Sequence, residues 1–283
     1  MQLFISTTFY DSNSTDLAEI LQLIHGLDVD GLELGSTHYF RKDIETVVNN
    51  SCDHRIVTHN FFPPTENPDF VINIASEDAE IRNASIAHAR HCISVASRLG
   101  AEVYTVHPGF LAKPVSSIVE INKYDFDFND ERTEHKIAFA LMIDALCELS
   151  NLAIKKGIKL AIETEGSLTR PGVLLMETLD EYEQLFSIIP DNIFLNMNLA
   201  HTRFAAKTHN YSMNDFIDRY RNRIILVEIS HNDGVSDQHL PLTKDSYIFD
   251  YLDSLPNVPY ILEFRNAEIN QVQKSIALMR AHS

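Results

Sequence analysis

Eight short apolar runs, each followed by a stretch of helical periodicity in units of about 30 residues, restrict this chain to very few folds. The runs are Leu3–Phe9, Gly31–Gly35, Arg55–Phe61, Glu102–His107, Lys159–Glu163, Ile193–Met197, Ile224–Ile229 and Pro259–Phe264. They are continuously apolar rather than alternating, the pattern of strands covered on both faces in a parallel sheet. The segments between them carry helical stripes. One steps through Ile86, Ala89, Ile93 and Ala96, widened by Cys92, Val95 and Leu99; another runs through Phe139, Met142, Ile143, Leu146, Leu149 and Ala153. Gly26, Gly100 and Gly157 stand between a helical stretch and the next strand, where a left-handed residue ends a helix. Thr178 and Glu181 have the spacing of a capping box.

Such an alternation closes into an eight-stranded barrel or opens into a doubly wound sheet. No GxGxxG follows the first strand and no phosphate loop ending in GKS or GKT occurs. Eight units in 283 residues fit a single α/β domain, a (β/α)8 TIM barrel over residues 1–283. The longest irregular stretch, Phe110–Asp130, carries Lys113, Pro114 and the acidic-aromatic run Tyr124–Phe128, and is expected to form a lid over the site. Apolar residues make up 45% and charged residues 22%, a globular composition that excludes intrinsic disorder.

The charge narrows the partners. With 23 Lys+Arg against 40 Asp+Glu the net charge is −17, opposite to the basic footprint that nucleic acid or an anionic membrane requires. No apolar run approaches the roughly 20 residues of a membrane span, and the start MQLFISTTFYDS has neither a basic segment nor a long apolar one. Cys52, Cys92 and Cys147 show no CxxC spacing, so a cytoplasmic location is expected.

In a βα barrel chemistry sits where the strands finish. Metal-capable groups accumulate there: His59 and Asn60 after the third strand, His107 after the fourth, Glu163 and Glu165 at the fifth. Asn196, Asn198 and His201 follow the sixth, Glu228, His231, Asp237 and His239 the seventh, and Glu263 with Arg265 the eighth. Glu163, Glu228 and Glu263 each follow apolar strand residues, where an ionised carboxylate is costly unless paired. Three such acids at one barrel mouth repel each other, and a divalent cation holds them ionised together. Arg265 is the obvious alternative partner, but one guanidinium cannot neutralise three carboxylates.

These residues bring a family into view. The chain resembles the xylose isomerase-like TIM barrels, which include sugar isomerases and epimerases, inosose-processing enzymes and apurinic-site endonucleases. The resemblance rests on Asp30–Leu34, Val106–Gly109, Ile162–Gly166, the His201 segment, Ser230–Gly234, Asp237–Leu242 and Leu262-Glu263, in order along the chain. It implies a divalent-metal-dependent isomerase or epimerase of a sugar, sugar phosphate or cyclitol, working through an enediolate, with Glu163 and Glu263 moving the proton. It implies metal ligands at Glu163, Asn198, Glu228 and Glu263, to which the polynuclear branch adds His59 and His107 beside Glu163, and His201 with Asp237 and His239. His59, His107, Glu33 and Arg265 are then expected to contact a small-molecule carbohydrate. The family usually has Asp where Asn198 stands and His where Glu228 stands; the set becomes all oxygen, which favours Mn²⁺ or Mg²⁺, with Zn²⁺ an option at the histidine-rich cluster. His231 is expected at the rim and Glu165 is given no role. Assembly into a homo-oligomer follows only by analogy with related barrels. Two other functions stay open at this point: a metallo-phosphodiesterase of the apurinic endonuclease type, and a non-catalytic metal- or carbohydrate-binding barrel.

Overall fold

A computed structural model describes residues 1–10, 15–67, 70–120, 123–168 and 172–282; for 113–120 and 123–130 it describes the backbone alone. The strands in chain order are β1 (Gln2–Ser6), β2 (Gly31–Leu34), β3 (Arg55–His59), β4 (Val103–Val106), β5 (Ala112–Glu120), β6 (Lys123–Arg132), β7 (Lys159–Glu163), β8 (Ile193–Asn198), β9 (Ile224–Ile229) and β10 (Pro259–Leu262). All but β5 and β6 run parallel and close into a barrel, in the order β1-β10-β9-β8-β7-β4-β3-β2 around the ring. All eight runs read from the sequence contribute a strand to it. The first is shorter than expected, because Thr7–Phe9 turns into a 3-10 helix capped by Ser6.

The barrel interior shows how the site is built. Phe4, Val57, Val103, Ala161, Leu226 and Ile261 form a compact apolar cluster drawn entirely from the strands. Side chains two residues apart on a strand share a face. The next positions on those faces are Ser6, His59, Thr105, Glu163, Glu228 and Glu263, so an apolar layer supports a polar layer directly above it. Strand register joins these groups across the ring: Glu33 lies beside Val57 and Ser6, Glu163 beside Asn196, and Glu228 beside Asn198.

The helices α1 (Leu17–Ile24), α2 (Ile44–Ser51), α3 (Ala79–Arg98), α4 (His135–Lys156), α5 (Leu179–Ile188), α6 (Leu199–His209), α7 (Met213–Tyr220) and α8 (Ile269–Ala281) follow the strands. Both stripes identified in the sequence turn inward; Ala89, Ile93 and Ala96 on α3, and Met142, Leu146 and Leu149 on α4, are fully buried. Gly100 and Gly157 end their helices with φ of 69° and 70°. Gly26 does not: α1 finishes on right-handed His25, and the Gly26 N–H donates to the Leu23 carbonyl at 3.4 Å. Thr178 and Glu181 form the expected capping box at the start of α5.

One expectation is corrected. Phe110–Asp130 is not irregular, since β5 and β6 pair as an antiparallel hairpin; Tyr124–Phe128 lies on β6, with side chains outside the described residues. Among the described residues one helix, α4, is long and apolar enough to cross a membrane, although charges interrupt its apolar runs in the sequence. Half of its most apolar stretch is buried, because its apolar face packs in the barrel's outer layer.

Candidate metal and substrate site

A cavity of about 280 Å³ opens at the C-terminal ends of the strands. His59, His107, Glu163, Glu165, His201, Asp237, His239, Glu263 and Arg265 all line it. Glu33, Asn198 and Glu228, also expected at the site, are buried but are not among the lining residues.

Two nitrogen–oxygen clusters face this cavity. In the first, His59 Nε2 and His107 Nε2 approach the same oxygen, Glu163 Oε2, at 2.7 and 3.0 Å. Ser36 Oγ holds the other nitrogen of His59 at 2.7 Å, and Glu165 Oε1 holds that of His107 at 2.6 Å. In the second cluster Asp237 Oδ2 lies 3.1 Å from His201 Nε2 and 2.7 Å from His239 Nε2. The ligand-capable atoms of each triad lie within 4.8 Å of one another. Glu163 joins the clusters, because its Oε1 is 3.1 Å from His201 Nδ1.

Local backbone geometry makes these approaches reachable. Gly166 lets the segment after β7 run against the start of α6; a Cβ there would meet the His201 carbonyl oxygen at 2.1 Å. His239 adopts a left-handed φ of 49°, uncommon for a non-glycine residue. Its ring spans Asp237 and Glu263, with Nδ1 3.1 Å from Glu263 Oε2.

Charge balances within the ring of side chains. Burial alone would raise the Glu163 carboxyl, but the imidazoles of His107, His201 and His59 hold it well below the ordinary carboxylate range. Burial opposes protonation of His107, yet Glu163 and Glu165 push it up to about 10. His239 rises to about 9, against burial and the Arg265 charge, through Asp237 and Glu263. Glu263 falls to about 2 despite burial, with His239 the chief cause. Below them, burial and the neighbouring acids raise Glu228 well above its ordinary value, and burial lifts Glu33 to about 7.

Four features of the site differ from the sequence expectation. Glu165 has a role, orienting His107 through a hydrogen bond between its Oε1 and His107 Nδ1. Asn196, named in the sequence among the strand-end groups but with no specific role, has its Nδ2 donating to Glu228 Oε1 and to Thr105 Oγ1. His59 and His107, expected first to touch substrate and to ligate metal only in the polynuclear branch, form a metal-capable triad with Glu163. Asn198 presents its donor to the acids, with Nδ2 at 3.1 Å from Glu163, 2.9 Å from Glu228 and 3.4 Å from Glu263. The basic cluster before β9 is neutralised on the surface: Arg219, Arg221 and Arg223 pair with Glu183, Asp218 and Asp191. His231 bridges to Leu240 outside the cavity lining.

A profile described as xylose isomerase-like TIM barrel matches residues 21–282. Among curated proteins, the uncharacterized protein MJ1311 of Methanocaldococcus jannaschii is 24% identical, with 91% of this chain and 81% of that protein covered. A D-tagatose 3-epimerase-like protein superposes with a TM-score of 0.75 at 18% identity, covering 100% of this chain and 97% of that one. A D-psicose 3-epimerase in the presence of D-fructose superposes with a TM-score of 0.70 at 14% identity, covering 100% of this chain and 98% of that one. The TTHB071 protein of Thermus thermophilus, soaked with ZnCl2, has the same TM-score and identity, with 100% of this chain and 99% of that one covered.

Proposed function

The chain belongs to the xylose isomerase-like TIM barrel family, and from that premise we propose that it is a divalent-metal-dependent isomerase or epimerase of a small carbohydrate. The observation that carries this is the pairing of Glu163 and Glu263. Both are buried acids held ionised by imidazoles, and they face one cavity from β7 and from the end of β10.

A divalent ion fits the donor set. Each triad offers two imidazoles and one carboxylate, and the Asp237 Oδ1 atom is buried with no hydrogen-bond partner among the described residues. His59, His107 and Glu163 would hold one ion, and His201, Asp237 and His239 a second. Such nitrogen-rich sets favour Zn²⁺ or Mn²⁺ over Mg²⁺. When bound, the ion supplies Lewis acidity toward a sugar carbonyl and its neighbouring hydroxyl.

The protein's own groups do the rest. Glu163 takes the proton from the carbon beside the carbonyl and later loses it to solvent, while Glu263, after taking up a proton from water, returns one from the other side; acid–base steps of this kind contribute roughly 10²–10⁴-fold each. Glu165 and Ser36 fix the rings of His107 and His59, so that their positions are set before substrate arrives. Arg265, on the cavity wall, offers a planar fork to a substrate oxygen or phosphate. The volume of about 280 Å³ lies at the small end of ligand pockets and suits a monosaccharide.

The test is proton exchange. Protein loaded with Mn²⁺ or Zn²⁺ is incubated with ketopentoses, ketohexoses and their phosphates in D2O and followed by NMR. Deuterium is expected at the carbon beside the carbonyl, together with the epimer or aldose. Absence of exchange with every ketose overturns the reading. The completeness of both triads also supports a metallo-phosphodiesterase of the apurinic endonuclease type. The charge of −17 and the surface pairing of the arginines weigh against it. Cleavage of abasic duplex DNA would favour it instead.

A further inference from the structure

Asn198 ends β8 and caps α6, and the two halves of its amide face opposite demands. Its Oδ1 accepts from the backbone N–H groups of Ala200 and His201 at 3.1 and 3.3 Å. Its Nδ2 donates toward Glu228, Glu163 and Glu263. Turning the amide over would set the NH2 group against two N–H donors and the oxygen against three carboxylates, so chemistry alone fixes its orientation. The backbone is equally held: the Asn198 N–H donates to Thr164 Oγ1 at 2.9 Å, and Thr202 Oγ1 donates to the Asn198 carbonyl at 2.8 Å.

The distances from Nδ2 to the three acids, 2.9 to 3.4 Å, have a second meaning. An octahedral shell with metal–oxygen bonds of roughly 2.1 Å has ligand–ligand edges of about 3.0 Å. Position 198 therefore stands where a fourth ligand would complete a shell with Glu163, Glu228 and Glu263, but it presents a donor instead of a lone pair. Glu228 is tied down from both sides, with Asn196 Nδ2 on Oε1 and Asn198 Nδ2 on Oε2.

We infer that Asn198 is a specificity-determining amide that takes the place of a cation among Glu163, Glu228 and Glu263, confining the ion to the two histidine triads. The confinement rests on the metal-dependent reading above, whereas the hydrogen bonding of the three acids is independent of it. An aspartate at 198 would cap α6 with one oxygen, turn the other to the acids and open an all-oxygen site.

The experiment is equilibrium dialysis of ion-stripped wild type, Asn198→Asp and Glu228→Gln against MnCl2, with bound metal counted by mass spectrometry and its environment read by Mn²⁺ electron paramagnetic resonance. Asn198→Asp is expected to bind one more Mn²⁺ per chain than wild type, with affinity raised beyond the roughly 10–100-fold that an outer-shell partner contributes. The Glu228→Gln variant, which retains Asn198, is expected to bind as many Mn²⁺ ions as wild type, because Glu228 is no ligand there; this arm decides the matter if Asn198→Asp fails to fold. Equal stoichiometry and affinity in wild type and Asn198→Asp overturns the inference, as does loss of a wild-type ion in Glu228→Gln. Deuterium exchange by wild type reports separately on the proposed function, so either can fail while the other stands.

Discussion

Glu163→Gln is expected to lower ketose proton exchange by roughly 10²–10⁴-fold, the span of a single acid–base contribution. The substitution keeps the shape of the side chain and removes its charge. It removes the proposed proton acceptor, and it also disturbs the histidines. Glu163 Oε2 takes both His59 and His107, while Oε1 meets His201 and Asn198. A glutamine places an NH2 group on one of these faces, so one set of donors is left without an acceptor inside the barrel. Steady-state exchange rates with the variant fully loaded with metal separate lost basicity from lost ion. A variant exchanging at the wild-type rate would remove Glu163 from the mechanism.

Stripping the ion is expected to abolish exchange altogether and to lower the melting temperature by several degrees. Any ligand that binds the folded chain alone stabilises it, by about 2.7 kcal/mol at a free concentration 100-fold above Kd. The sign of the pH dependence follows from the histidines. His107 and His239, raised to about 10 and about 9, carry protons in the ion-free protein that metal ligation must displace. Ion affinity should therefore climb as pH rises through the neutral range. Melting curves with and without a chelator at pH 6 and pH 8 check both parts: the ion-dependent shift should be larger at pH 8. A shift of equal size at both values would mean that imidazoles do not ligate.

The barrel is legible because parallel strands write themselves as unbroken apolar runs, and all eight runs form strands. The acids are legible for a related reason: Glu163, Glu228 and Glu263 interrupt apolar strands, where charge demands an explanation. What stays hidden depends on three-dimensional pairing. Glu165 acts only through His107 Nδ1 on its Oε1, and no linear pattern joins those two positions. Four histidines neutralise much of the site's charge, a balance that counting arginines could not anticipate. Asn198 reads as a ligand from its place in the chain, but whether an amide shows its oxygen or its nitrogen depends on the helix it caps. The hairpin β5–β6 is legible in part, since Tyr124, Phe126 and Phe128 alternate with Asp125 and Asp127 at the period of a strand, but its antiparallel pairing falls outside the parallel βα repeat that marks the other strands.

Anomalous scattering at the manganese edge, from crystals grown with MnCl2, tests the central claim most directly. An ion bounded by His59, His107 and Glu163, or by His201, Asp237 and His239, is the result expected. A barrel mouth with no anomalous peak at either triad would contradict the account.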